Sequence, residues 1–146
     1  MLDTDRFAER LNELMIEHDF NSSTLAKELR VDRSTISRYV AADKAPSVDT
    51  LIKIANFFSC NIDFLIGRDD ECKHIEYNEC PPFNERLKFL LNINNKSQYA
   101  LKKQMKISQS VLYYWLNNRY APSIDNVIKL AKFFDCSVDY VIGRGN

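Results

Sequence analysis

Glycine and proline are scarce: three and four in 146 residues, which excludes a collagen-like or low-complexity chain. No apolar run approaches the roughly 18 residues of a membrane span. The opening Met1-Leu2-Asp3-Thr4-Asp5 lacks the cationic and apolar parts of a signal peptide. Cysteine is sparse too. Four scattered thiols make no disulfide framework, and without an export signal they are expected to stay reduced in a cytoplasm. Histidine is limited to His18 and His74, neither with a nucleophile and carboxylate at motif spacing, so acid–base catalysis has no support. A glycine-rich phosphate loop is missing altogether. These gaps argue against an enzyme and leave a soluble cytoplasmic protein, off the membrane, as the expectation.

Net charge is zero, but the sum conceals a split. Residues 1–70 carry 9 Lys/Arg against 13 Asp/Glu, residues 71–82 carry 1 against 3, and residues 83–146 carry 10 against 4. The halves thus differ by ten charges, −4 against +6. A basic half suggests an anionic partner, commonly nucleic acid, although a solvated charged face would look similar.

Self-similarity decides the organisation. A shift of 76 residues places Phe7-Ala8-Glu9-Arg10-Leu11 on Phe83-Asn84-Glu85-Arg86-Leu87, and Ala45-Pro46-Ser47 on Ala121-Pro122-Ser123. It also places Cys60-Asn61-Ile62-Asp63 on Cys136-Ser137-Val138-Asp139, and Ile66-Gly67-Arg68 on Ile142-Gly143-Arg144. The register runs without a gap from residue 7 to 70, with 22 identities in 64 positions. The chain is a tandem duplication, read as units 1–68 and 83–146 joined by an acidic linker, 69–82, that ends in Pro81-Pro82.

Each unit reads as helical throughout. Phe7, Leu11, Leu14 and Met15, like Phe83, Leu87, Leu90 and Leu91, recur at the spacing of one helical face. Asn21 and Ser97 are good N-caps for a second helix holding Leu25, Ala26 and Leu29 in the first unit. Asp32 and Ser108 are expected to cap a third, with Ile36, Tyr39 and Val40, or Leu112, Trp115 and Leu116, on its inner side. Pro46 and Pro122 are expected to end that region. Val48, Leu51, Ile52, Ala55 and Phe58 form a fourth stripe. A last short helix near Asp63–Ile66 stops at Gly67 (Gly143), a C′ glycine. Strand-like alternation is absent, so the expected fold is all-α, two five-helix bundles.

Residues 21–41 hold two short helices separated by Arg30-Val31-Asp32-Arg33, which is helix-turn-helix spacing. With Ile36, Tyr39 and Val40 inward, the 100° turn per residue sends Ser34, Ser37, Arg38 and Ala41 outward, with Arg33 on the exposed first turn. This face, bracketed by Lys27 and Lys44, suits the edges and phosphates of a DNA major groove. The second unit offers Gln109, Ser110, Tyr113, Tyr114 and Asn117, bracketed by Lys102, Lys103, Lys106 and Arg119. Tyr113 and Tyr114 admit two readings: contacts to bases and phosphates, or an aromatic protein-contact patch. The positive charge of the second unit favours DNA.

The segment from Leu25-Ala26-Lys27-Glu28-Leu29 through Arg33-Ser34-Thr35-Ile36-Ser37-Arg38-Tyr39 resembles the core motif of the XRE-type helix-turn-helix family, the lambda-repressor-like fold of phage Cro and repressor proteins. Pro46-Ser47-Val48-Asp49-Thr50-Leu51-Ile52-Lys53-Ile54-Ala55 and Asp63-Phe64-Leu65-Ile66-Gly67-Arg68 resemble its later motifs, and the likeness extends over both units. The resemblance implies two tandem lambda-repressor-like DNA-binding domains. It places Ser22 and Gln98 beside a phosphate, and Arg33, Ser34 and Arg38, with Gln109, Ser110 and Tyr114, at base-reading positions. Thr35 and its counterpart Val111 lie in the same stretch, and Val111 can pack on a thymine methyl group. The family often has glycine where this chain has Arg30/Lys106 and Ala42/Asn118. Ala42 suits a left-handed conformation poorly, so the exit from the third helix is expected to differ in the first unit. A frequent Arg–Glu pair between helices one and three is replaced by Met15/Val40 and Leu91/Leu116, a packing swap.

Blander readings cover the remaining features. Cys60 and Cys136 stand where the family has valine and read as buried structural thiols. Cys72, His74 and Cys80 match no zinc spacing and lack a fourth ligand, so neither metal nor cofactor is expected. One member of each pair Phe57/Phe58 and Phe133/Phe134 is core, while the other is open to a subunit contact. The resulting expectation is a bacterial or phage-type transcriptional regulator, a repressor, binding double-stranded DNA through one recognition helix per unit. The competing reading is an antitoxin- or adaptor-like module docking protein through Tyr99, Tyr113, Tyr114 and Tyr120. At roughly 3.3 Å per residue the 15 residues 68–82 reach at most about 50 Å, against about 34–36 Å between half-sites one turn apart. Self-association, or a pseudo-dimer within one chain, is compatible with that reach.

Overall fold

A computed structural model describes residues 1–74 and 76–145, and these are all-α, with no strand among them. They form two units, Leu2–Glu76 and residues 77–145. In the first, α1 (Thr4–Glu17), α2 (Ser22–Leu29), α3 (Arg33–Val40) and α4 (Val48–Phe58) precede a single turn, α5 (Ile62–Leu65). The second repeats the order as α6 (Phe83–Ile93), α7 (Gln98–Met105), α8 (Gln109–Leu116), α9 (Ile124–Phe134) and α10 (Val138–Val141). No helix of the described residues is long and apolar enough to cross a membrane.

Most helix starts follow from side-chain caps. Asn21 and Thr24 form a reciprocal capping box, each backbone N–H donating to the other's side chain at 2.9 Å. Ser97, Ser108, Ser47 and Ser123 accept from the third residue of their helices, each bond being worth about 1 kcal/mol. Asp32 occupies the N-cap position of α3 in extended backbone but accepts no hydrogen bond there, a correction to its expected capping role.

Helix ends are corrected as well. α3 stops at Val40, well before Pro46, so the proline opens the approach to α4 and does not terminate α3. The terminator is Ala42, at φ 59°. Its N–H donates to the Tyr39 carbonyl (3.1 Å) and the Asp43 N–H to that of Arg38 (2.8 Å), a Schellman motif. Asn118, at φ 55°, ends α8 with the same pair of bonds. The expected difference between the two exits therefore does not exist: the fold imposes the left-handed residue on alanine and asparagine alike. Gly67 and Gly143 follow α5 and α10 at φ 82° and 80°.

The first core buries Phe7, Leu11, Leu14, Leu25, Ile36, Leu51, Ile54 and Leu65, and Phe7 meets Tyr39 edge to face at 5.6 Å between centroids. The second buries Leu87, Leu90, Leu101, Leu112 and Leu130, with Trp115 at the place of Tyr39 and Phe83 against its ring. Each such side chain contributes about 1.5–3 kcal/mol on burial. Phe58 is buried and Phe57 half-buried, whereas Phe133 and Phe134 are both buried. Cys60 is fully buried but Cys136 only half-buried, so the equivalence expected of the two thiols is incomplete.

Polar clasps hold each terminal turn. Arg10 donates to the carbonyl of Phe64 (2.7 Å) and lies 4.0 Å over that ring. Arg86 donates to the Tyr140 carbonyl and stacks on the Tyr140 ring at 4.6 Å. Behind them, Arg68 pairs with Asp63 at 2.6 Å and Arg144 with Asp139 at 2.7 Å. Described residues of the stretch expected to link the units are bonded to one unit or the other. Arg10 reaches the Asp69 carbonyl, the Lys73 N–H donates to Asn61, and His74 bonds the Ser59 carbonyl, all inside the first unit. Asn78 donates to the Arg144 carbonyl and Tyr77 lies 3.8 Å under the Arg144 guanidinium, inside the second.

Candidate nucleic-acid interface

Arg30, at φ 57°, turns the chain between α2 and α3, and Lys106, at φ 56°, does so between α7 and α8. The N–H groups of Val31 and Ile107 close these turns on the carbonyls of Ala26 and Lys102 (3.0 and 3.2 Å). The turn sets α3 across α2, with Ile36 and Tyr39 buried and the opposite face in solvent. On that face Arg33, Ser34, Ser37 and Arg38 are exposed and Thr35 is half-buried. Lys27 and Lys44 are exposed nearby, and Lys44 Nζ lies 6.0 Å above the Tyr39 ring. Ser22, the first residue of α2, is half-buried.

In the second unit Gln98, Lys103, Gln109, Ser110, Asn117 and Arg119 are exposed and Val111 is half-buried. Lys102 Nζ donates to Gln109 Oε1 at 3.0 Å, tying the last turn of α7 to the first of α8. Asn117 donates to the Tyr113 carbonyl (2.8 Å), so its amide is engaged at the helix end. Tyr113, Tyr114 and Tyr120 are 49%, 40% and 48% exposed and form one chain of rings, with centroids 5.9 and 5.3 Å apart. Tyr99, 66% exposed, lies under Lys103 Nζ at 5.9 Å. At the start of α7, Lys88, Lys96, Ser97 and Gln98 line a shallow cavity of about 480 Å³.

Two partners were not foreseen from sequence. Asp43 pairs with Arg38 (3.5 Å), both side chains being more than half exposed. The Schellman turn at Ala42 brings them together, a geometry hidden by the absence of glycine at that position. Tyr120 stacks on Tyr114 through the matching turn at Asn118. Cys72 and His74 lie in the first unit and Cys80 in the second. No group of three or more His, Cys, Asp or Glu arranged to hold a metal ion occurs among the described residues.

Comparison with known proteins finds a helix-turn-helix family model matching residues 11–65 and again 87–141. The HTH-type transcriptional regulator ImmR of Bacillus subtilis (strain 168) is 28% identical over 68 residues, 47% of this chain and 54% of that protein. The uncharacterized HTH-type transcriptional regulator YobD of the same strain is 26% identical over 65 residues, 44% of this chain and 58% of that protein. The chain thus spans about half the length of these curated relatives. Among solved structures, a transcriptional regulator from Listeria innocua aligns with a TM-score of 0.41 at 25% identity, over 80% of this chain and 96% of that one.

Proposed function

The chain belongs to the helix-turn-helix family over both of its units, and from that premise we propose that it is a sequence-specific, double-stranded-DNA-binding transcriptional regulator. It works as a repressor, by occupying its site, with α3 and α8 as two recognition helices. The observation that carries this reading is the face of α3. Arg33, Ser34, Ser37 and Arg38 stand exposed on one side of a helix whose other side is core, and Lys27 and Lys44 flank them. Arg33 and Arg38 are each able to donate two hydrogen bonds to guanine O6 and N7. Ser22 and Gln98, at the starts of α2 and α7, take phosphates, as do Lys103 and Arg119.

The two helices read different half-sites. Along α3 and α8 only Ser34 and Ser110 are identical, and the arginines at 33 and 38 become Gln109 and Tyr114. Glutamine suits adenine, with one donor and one acceptor toward N6 and N7. Val111 packs on a thymine methyl, and the ring chain of Tyr113, Tyr114 and Tyr120 forms a wall against sugar and base. One chain then serves as a pseudo-dimer.

Selection of bound duplexes from a random DNA pool, followed by a salt titration, tests the reading. The expected result is a pair of dissimilar half-sites, with a log–log salt slope of about −0.9 per phosphate contacted. A perfect palindrome indicates a homodimer reading through one unit. Absence of binding at low salt overturns the proposal and leaves the tyrosine wall as a protein-docking surface.

A further inference from the structure

The held stretch after α5 carries a second group of reactive side chains, independent of the DNA-reading face. Asn61 accepts the Lys73 N–H at 2.9 Å, and His74 Nδ1 lies 3.1 Å from the Ser59 carbonyl oxygen. Bonds at 73 and 74 therefore press Cys72 back toward the junction of α4 and α5, where Cys60 is fully buried. The Cys60 side chain lies close enough to act on the Cys72 thiol. A carbonyl only accepts, so the neutral His74 ring carries its proton on Nδ1. Its Nε2, 3.5 Å from Cys72 Sγ, is then the acceptor for the thiol proton. A nucleophile, a base, a group that orients the base and a second sulfur are thus assembled in one place.

We propose that Cys72 is a modification site that reacts with a hydroperoxide, with His74 as its base and Cys60 as the second sulfur of an intramolecular disulfide. Cys72 is half-buried, and burial raises its pKa above the ordinary thiol value, with Arg10 and Glu17 as the charges facing it. The resting thiol is protonated, so removal of its proton by His74 is part of the step. Cys72 sulfur attacks one peroxide oxygen, the O–O bond breaks, and the departing oxygen takes the proton from His74 to leave as water or alcohol. The product is the Cys72 sulfenic acid. Cys60 sulfur then attacks Cys72 sulfur, the S–O bond breaks, and hydroxide leaves as water with the Cys60 proton. Two thiols are oxidised by two electrons, and one peroxide is reduced. The new bond closes the chain over α5 and its Asp63–Arg68 clasp, fastening the connecting stretch to the first unit.

The test treats the full chain, fully reduced, with a small excess of hydrogen peroxide, and maps disulfides by non-reducing digestion and mass spectrometry. The expected product joins Cys60 to Cys72 while Cys80 and Cys136 still alkylate, and its thermal midpoint is raised and restored by dithiothreitol. Cys60→Ala, which keeps the site apolar, should stop at a sulfenic acid on Cys72 that dimedone traps. His74→Gln should slow the loss of the Cys72 thiol about a hundredfold, the lower range for a positioned base. Even oxidation of all four thiols, a different cysteine pair, or a His74→Gln variant reacting at the parent rate overturns the proposal.

Discussion

Replacing Ala42 by glycine should stabilise the first unit. Ala42 sits at φ 59°, where the Cβ of an L-residue crowds the following carbonyl at a cost of about 1–2 kcal/mol. Glycine removes that cost but loses more chain entropy on folding, about 0.5–1 kcal/mol relative to alanine. The balance is a gain of about 0.5–1 kcal/mol, and at roughly 4–8 °C per kcal/mol for a domain of this size the transition moves up by about 2–8 °C. The fold supplies a clean pair of signals. Trp115, the single tryptophan, lies in the core of the second unit, so its fluorescence follows that unit, whereas far-ultraviolet dichroism follows both. The dichroic transition of the first unit should rise while the tryptophan transition stays in place. Asn118→Gly, at the matching position, should shift its own unit by less, because asparagine already visits this conformation. An Ala42→Gly protein that is unchanged or less stable, or a larger gain from Asn118→Gly, refutes the reasoning.

Asp43→Asn frees Arg38 from an exposed pair worth about 0.2–1 kcal/mol and removes an anion from the face. Affinity for the selected DNA should rise by up to about fivefold in fluorescence anisotropy, and a fall contradicts the placement of Arg38 at the groove. Arg38→Ala should cost about 1–3 kcal/mol at one base pair and relax the preference there, whereas Lys103→Ala should weaken all sequences alike and lower the salt slope by about one. A panel of single-base variants separates the two. The Asp69 carboxylate accepts the Glu71 N–H and pairs with Lys73, which hold its pKa below the ordinary 3.8. A carboxylate depressed in the folded state adds stability above its unfolded pKa and loses it as the pH falls through the folded one. Urea midpoints should therefore fall more steeply below pH 3.8 for the parent than for Asp69→Asn, and parallel curves rule the contribution out.

Helix starts were readable in the sequence where helix ends were not, for a physical reason. A cap is a residue type at a position: Asn21, Ser97 and Ser108 announce themselves and make the expected bonds. An end is a backbone conformation, and its usual mark is glycine. Here eight non-glycine residues among those described have positive φ, including Asp19, Arg30, Ala42 and Ser59 and their counterparts Asn95, Lys106, Asn118 and Asp135. Four of these are Asp or Asn, which tolerate the region, but arginine, lysine, alanine and serine leave no signal. The sequence accordingly points to Pro46 as the α3 end, and the Arg38–Asp43 contact across the true turn leaves no mark in it. The clasp residues were visible only as repeated letters.

Those repeated letters separate scaffold from reading surface. Arg10 and Arg86 bond the terminal turn, Asp63 and Asp139 pair with Arg68 and Arg144, and Gly67 and Gly143 provide the left-handed step between them. Each is identical across the shift of 76: the arginines and aspartates hold these bonds, and a Cβ added at either glycine would collide with a side chain of Arg6 or Pro81. Arg144 illustrates the constraint: it is fully buried, paired with Asp139 and stacked on Tyr77. Removing one member of a buried pair costs about 3–5 kcal/mol. The exposed face of α3 carries no such restriction, since a solvent-facing substitution away from caps usually changes stability by less than about 0.5 kcal/mol. Arg33 and Arg38 can therefore become Gln109 and Tyr114 while the fold beneath them stays the same. Two equal frames carrying unequal faces are what a single chain needs to contact two unlike half-sites.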